Sequence, residues 1–258
     1  MPQRLKIILF IMLILISALP ATIGGRDPIR LKAATAQGVD TAEFMGLTFF
    51  KELVERRTKG NIRVDIYAAG VMGGDEQLIE GLQRGTVNLI TCAAYKYADY
   101  VPEFNLLELP FLFYSPAHLQ QMLAEAGLLG DSLGKKALEA RGDLVLGYFV
   151  GEPMNIASGS PLPFITEAKG TKFRTMLLPT HRQAWDALGI NPVALAYFEL
   201  KIGLEVEIVK AAEVGYEEFQ ELRLYETAKY LLQSEHYFPL HPFLMGKLTW
   251  RQMPQTYQ

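Results

Sequence analysis

From Ile29 onward the chain alternates short apolar runs with helix-period segments, and that alternation restricts the fold more than any other feature. Ile29–Ala34 reads as a strand. Thr41 to Arg57 reads as a helix with Phe44, Leu47, Phe50, Leu53 and Val54 on one face, ended by Lys59-Gly60. A second strand follows at Ile62–Tyr67, and a helix from Asp75 to Arg84 has its apolar positions at Leu78, Ile79 and Leu82. Val87–Cys92 is a third strand. The β-α-β-α-β order predicts a mostly parallel sheet with helices on both faces. Ligand sites in such sheets lie beyond the carboxyl ends of the strands.

The middle of the chain is punctuated by Pro102, Pro110 and Pro116 around the apolar run Leu106–Phe113. Helical segments are expected at His118–Ala126 and from about Gly130 to Ala140. Leu144–Val150 starts a new α/β unit that runs to about Glu213, with Tyr148–Gly151 as a crossing between two lobes. Tyr216 to Leu232, rich in Glu, reads as helix. A length of 258 residues allows one large domain or two smaller lobes. Two intertwined lobes are expected, 26–149 with 233–258 in the first and 150–232 in the second.

Residues 1–25 stand apart. Arg4 and Lys6 precede the apolar run Ile7 to Leu19, and Pro20-Ala21 follows, the pattern of a secretory signal peptide. The run is shorter than the ~20 residues that span a bilayer. The single cysteine, Cys92, excludes an internal disulfide and reads as a small buried hydrophobe. A net charge of −3 with scattered basic residues gives no footprint for nucleic acid.

Enzyme signatures are missing. There is no Gly-x-Ser-x-Gly elbow, and Gly70-Val-Met-Gly-Gly74 lacks the lysine of a phosphate loop. His118, His181, His236 and His241 show no metal-ligand spacing, although His236 and His241 flank Pro239 and a two-histidine site is conceivable. Neither a metal nor another cofactor is expected. The residue that draws attention is Arg174, in the short β-type stretch Gly170-Thr-Lys-Phe-Arg-Thr-Met176 before Pro179. Its guanidinium fork fits a carboxylate bidentately. An arginine that snorkels from an edge strand reads the same way at this level.

Taken together, several stretches resemble the periplasmic solute-binding proteins of TRAP transporters, the DctP-like family. They are Thr58 to Val64, Ala69 to Thr86, Val101-Pro-Glu-Phe104, Leu109-Pro-Phe-Leu-Phe113, Gly170 to Met176, Ala187 to Pro192 and Ala228-Lys-Tyr230. The resemblance covers about residues 29–252. It implies a periplasmic-binding-protein-like α/β fold of type II-like character, with a ligand cleft between two lobes. It also implies a periplasmic monomer that captures a small organic acid and delivers it to TRAP membrane permease subunits. In that pattern the arginine at position 174 grips the ligand carboxylate, and Glu213 matches the family's glutamate after the interlobe crossing.

Supporting ligand-binding candidates are Gln37 beyond the first strand, Glu76 in a first helical turn, Asn155, Phe198 and Tyr216, with Tyr148 as a further cleft aromatic. Plain turn, capping or core roles stand beside each. Four departures qualify the resemblance. Glu207 stands where the family has glycine, a strain of about 1 kcal/mol or more if that position holds a positive φ. Lys210 stands where aspartate is usual, and no second arginine occurs around Gly151–Asn155. The family also continues through further C-terminal helices, so a truncated chain is expected. A divergent member without transport function, acting as an interaction module, is the alternative.

Overall fold

The computed structural model describes residues 27–124 and 127–258. The expected signal peptide, and the end of the segment expected at His118–Ala126, lie outside them. The chain first lays down β1 (Ile29–Thr35), α1 (Ala42–Arg57), β2 (Ile62–Tyr67), α2 (Asp75–Arg84), β3 (Leu89–Thr91) and the single turn α3 (Ala94–Tyr97). After the 3₁₀ segment Pro102–Glu108 come α4 (Pro116–Leu123), α5 (Leu128–Arg141) and β4 (Leu144–Val150). A second unit holds β5 (Met154–Ser158), β6 (Lys172–Thr175), α6 (Pro179–Ala187), β7 (Asn191–Ala194) and α7 (Leu200–Glu205). It continues with β8 (Ala211–Val214), α8 (Tyr216–Glu221) and β9 (Tyr230–Tyr237). The chain then returns through β10 (Leu240–Met245) and α9 (Lys247–Gln252).

Two five-stranded sheets result, ordered β2-β1-β3-β10-β4 and β7-β6-β8-β5-β9. In the first, β1 lies parallel between β2 and β3, in register from Ile29↔Ile62 to Ala34↔Tyr67 on the β2 side. β10 runs antiparallel to both β3 and β4 because it re-enters from the other lobe, so the sheet is mixed rather than mostly parallel. Helices cover both faces. Leu78, Ile79 and Leu82 of α2 pack with Leu133 and Ala137 of α5 on one side, and Leu47 of α1 packs against Leu31, Ala33 and Val64 on the other. The fold is thus the two-lobe α/β architecture expected.

The chain passes between sheets twice, through Gly151–Pro153 and through Phe238–Pro239. Both passages join the carboxyl end of one sheet's strands to the edge of the other, so the two carboxyl edges face each other. The apolar run after Leu106 spans this gap. Phe111 donates its N–H to the His236 carbonyl at 2.5 Å, and its ring stands edge-on to Trp185 at 5.8 Å. Glu108, from the first lobe, accepts a 2.5 Å hydrogen bond from the Tyr237 hydroxyl of β9, and both residues are buried.

The helix expected from Tyr216 to Leu232 is corrected. It stops at Glu221, Arg223 takes a φ of +51°, and the chain becomes strand from Tyr230. Leu224 and Ala228 are fully buried beneath α7 and β8, and Leu232 pairs with Ile156. Core burial and strand pairing override the helix preference of a Glu-rich segment.

Glu207 has a φ of +57° just past the end of α7. Its N–H bonds the Leu204 carbonyl at 3.3 Å and the Val209 N–H bonds Gly203 at 3.1 Å, a left-handed helix terminus of the kind glycine normally fills. Replacing Glu207 with glycine removes the Cβ clash but adds freedom to the unfolded chain. The expected net gain for Glu207→Gly is about 0.5–1 kcal/mol, or roughly 1–4 °C in Tm. A melting temperature that is unchanged or lower would contradict the strain.

Candidate functional site

β6 is an interior strand, flanked by β7 and β8, so alternation sends its side chains to opposite covered faces. Phe173 packs on Trp185, with ring centroids 4.7 Å apart. Arg174 takes the other face and is only 4% exposed, which excludes the snorkelling arginine. Its side chain reaches toward the carboxyl edge. Nε donates to the Leu195 carbonyl at 3.1 Å, beyond the end of β7, and Nη1 donates to the Glu213 carbonyl at 2.8 Å. A carboxylate oxygen of Glu218, in α8, lies 3.7 Å from Nη1. Among the described residues no hydrogen bond reaches Nη2.

Glu213 lies on β8 with its side chain on the Trp185 side of the sheet, fully buried. Its carboxylate is saturated. Oε1 accepts from Trp185 Nε1 at 2.7 Å and faces His181 Nδ1 at 2.8 Å and His236 Nε2 at 3.3 Å. Oε2 accepts from Thr175 Oγ1 at 2.7 Å and the Met176 N–H at 3.0 Å. Burial pushes such an acid up, but the hydrogen bonds and charges of His181 and His236 outweigh it and hold Glu213 well below the ordinary carboxylate range. With both oxygens taken by protein donors, the Glu213 carboxylate is spent within the second lobe, and the residue steadies Arg174 through its main-chain carbonyl.

Asn155 is likewise used internally. It is fully buried, Nδ2 donates to the Pro153 carbonyl at 3.2 Å, and Oδ1 accepts from the Glu235 N–H at 3.2 Å, tying the first crossing to β9. Glu76 is exposed and paired with Lys96 at 2.8 Å, which holds its carboxyl below the ordinary value. Tyr216 opens α8, where its N–H is held by Glu152 at 2.9 Å and its hydroxyl accepts from Gln233 at 3.1 Å. Phe198 is 80% exposed in the turn after β7. Gln37 lies beyond β1 on the facing edge of the first sheet, its main chain bonded to Thr35 and Ala69. Tyr148 instead lines an apolar hollow of about 560 Å³ with Leu119, Leu123, Pro153 and Phe238, beside the crossings.

The two-histidine site is not formed. His236 belongs to the Glu213 cluster, while His241 sits 3.1 Å from Glu43 at the edge of the first sheet. Among the described residues no His, Cys, Asp and Glu grouping suits a metal ion. Cys92 is buried, and burial pushes its thiol up. The facing edge of the first lobe is polar too. Asp75 accepts from the Ala93 N–H at 2.9 Å, and burial raises its carboxyl above the ordinary value, as it does for Glu108. A larger hollow of about 710 Å³ lies along α6 and β7, and Arg174 is not in its wall.

Sequence reasoning missed Glu218, Glu152 and the His181–Trp185–His236 set. His181 and Trp185, four residues apart, share one face of α6, and that spacing was the one available signal. Glu213→Ala leaves several buried donors without an acceptor and is expected to destabilise the fold by about 3–5 kcal/mol in urea titration. Because the folded state depresses this acid, its stabilisation is complete above the ordinary carboxylate pKa and is lost as pH falls through and below that range. Glu213→Gln should therefore flatten part of the wild-type acid limb; an identical acid limb would contradict the assignment.

Comparison with known proteins supplies the family. The model of the bacterial extracellular solute-binding proteins, family 7 (DctP), matches residues 33–258. The chain is 31% identical over 193 residues to the 2,3-diketo-L-gulonate-binding periplasmic protein YiaO of Escherichia coli, covering 74% of this chain and 58% of that protein. It is 28% identical over 213 residues to a solute-binding protein of Sulfitobacter, covering 81% and 63%. The chain thus spans less than two thirds of the length of these curated relatives. Among solved structures, a TRAP periplasmic solute-binding protein of Ochrobactrum anthropi, with its C-terminus bound in its ligand-binding pocket, superposes with a TM-score of 0.80. The two are 28% identical, and the match covers 88% of this chain and 71% of that one. The sugar-acid-binding protein of Advenella mimigardefordensis, in complex with galactonate, gives 0.67 at 26% identity, covering 89% and 73%. With the two-lobe fold and a match running from β1 to Gln258, this chain belongs to the DctP family of TRAP periplasmic solute-binding proteins.

Proposed function

We propose that this chain captures a small organic acid between its two lobes, with Arg174 gripping the carboxylate, and delivers it to TRAP permease subunits in the membrane. The observation that carries the reading is the guanidinium at the carboxyl edge of the second sheet. It is buried and held by two main-chain carbonyls, yet its Nη2 has no protein partner among the described residues. Gln37 on the facing edge, with Tyr216 and Phe198 beyond β8 and β7, supplies further walls. The relatives that bind diketogulonate and galactonate point to a hydroxylated acid. The acceptor-rich edge formed by Glu43, Asp75 and Glu108 suits ligand hydroxyls and disfavours a second carboxylate.

The mechanism is electrostatic and conformational. An open cleft admits the acid to one lobe, and closure removes water, which strengthens the ion pair while desolvation offsets part of the gain. Ligand shifts the population toward the closed form only by its differential affinity for that form. The lobes would follow the division 26–149 with 233–258 and 150–232, except that β9 carries residues 233–237 in the second sheet, so the return to the first lobe falls at Phe238–Pro239. The protein would be a periplasmic monomer that engages no nucleic acid and carries out no catalysis.

A second reading, a divergent member without ligand, draws on Glu207 and Lys210. Both line a hollow with Gly159, Ser160 and Thr227 at the amino end of β8, the edge opposite the cleft. Their departures therefore leave the anchor untouched, and the binding reading is favoured. Calorimetry on Arg174→Ala is expected to show affinity reduced by about 2–3 kcal/mol, roughly 30- to 150-fold, with Arg174→Lys recovering only part. Equal affinity in wild type and Arg174→Ala would sink the assignment.

A further inference from the structure

Arg174 is a buried cation whose two hydrogen bonds go to neutral carbonyls. Its counter-charge comes from Glu218. That carboxylate is 3.7 Å from Nη1, a charge contact without a hydrogen bond, and its side chain is only 13% exposed. The other Glu218 oxygen accepts from the Gly215 N–H at 3.3 Å, closing the first turn of α8 and fixing the carboxylate beside the guanidinium. Glu152, from the first crossing, caps the same turn through the Tyr216 and Glu217 N–H groups. Glu218 thus faces Arg174 on β6, Glu152 on the crossing and Glu213 on β8, with Tyr197 also in its field. Burial raises its carboxyl above the ordinary value, against the attraction of Arg174.

A ligand carboxylate on the same guanidinium would place two negative groups on one cation. Like charges this close do not both stay ionised at little cost. We propose that Glu218 is the resident counter-ion of Arg174, that an incoming carboxylate replaces it there, and that Glu218 takes one proton from solvent as it is displaced. The inference rests on the acid-binding reading above and adds a residue that sets affinity and its pH dependence. The bound state holds more protons than the free state, so affinity rises as pH falls. The limit is about tenfold per pH unit, between the free and ligand-bound titrations of Glu218.

The test is calorimetry of galacturonate, galactonate and L-malate, ligands bound by structural relatives, from about pH 5 to about pH 8. In wild type, binding should tighten on acidification, and the heat should vary with buffer ionisation enthalpy in proportion to the proton taken up. Glu218→Gln keeps an acceptor for Gly215 and should bind about tenfold or more tighter at the alkaline end, with a flat profile and no proton uptake. Glu217→Gln, an exposed charge on the same turn, should stay within about twofold of wild type. Acid binding that depends on Arg174 but is indifferent to Glu218→Gln would overturn this inference and leave the binding reading standing. No binding of any of the three acids by either protein would overturn both.

Discussion

The second lobe is organised around one carboxylate. Glu213 draws Thr175 and Met176 from the end of β6, His181 and Trp185 from α6, and His236 from β9 onto two oxygens. A buried charge without such partners would be expensive, and with them it becomes a fixed point. Its main-chain carbonyl then orients Arg174 on the opposite face of the same sheet. One residue therefore serves both sides: a carboxylate that locks α6 to the sheet, and a carbonyl that aims the guanidinium.

The same cluster links the lobes. His236 offers its carbonyl to Phe111, and neighbouring Tyr237 donates to Glu108, both acceptor and ring arriving from the first lobe. His181 stands edge-on to Tyr237 at 4.5 Å. Movement of one lobe against the other must therefore be accommodated at this contact as well as at the two crossings, Gly151–Pro153 and Phe238–Pro239. The Leu109–Phe113 run, an apolar stretch with no evident role in the sequence, is the piece of the first lobe that docks here.

Much of this was legible. The strands at Ile62–Tyr67 and Leu144–Val150 and the helix Asp75–Arg84 fall where periodicity places them, because each is an amphipathic or apolar segment bounded by breakers. Glu207 in a left-handed conformation was legible too, since only the family's glycine reveals that the turn demands it. The segment after Tyr216 was not, because Glu-rich composition speaks for local preference while Leu224, Ala228 and Leu232 answer to packing and strand pairing. Asn155 and Glu76 were drawn into the site by their places, one just after the first crossing and the other in a first helical turn, yet one is spent on the crossing and the other on a surface ion pair.

The sequence by itself determined the alternation of elements, hence the class of fold, and singled out the arginine. Those are properties of short segments, where side-chain period and turn chemistry act locally. Only the tertiary structure decided that Arg174 is enclosed, that Glu213 meets it with a carbonyl and not a carboxylate, and that Glu218 stands as its counter-charge. These depend on which faces of β6, β8 and α8 come together over separations of about forty residues, and no local signal in the chain carries that information.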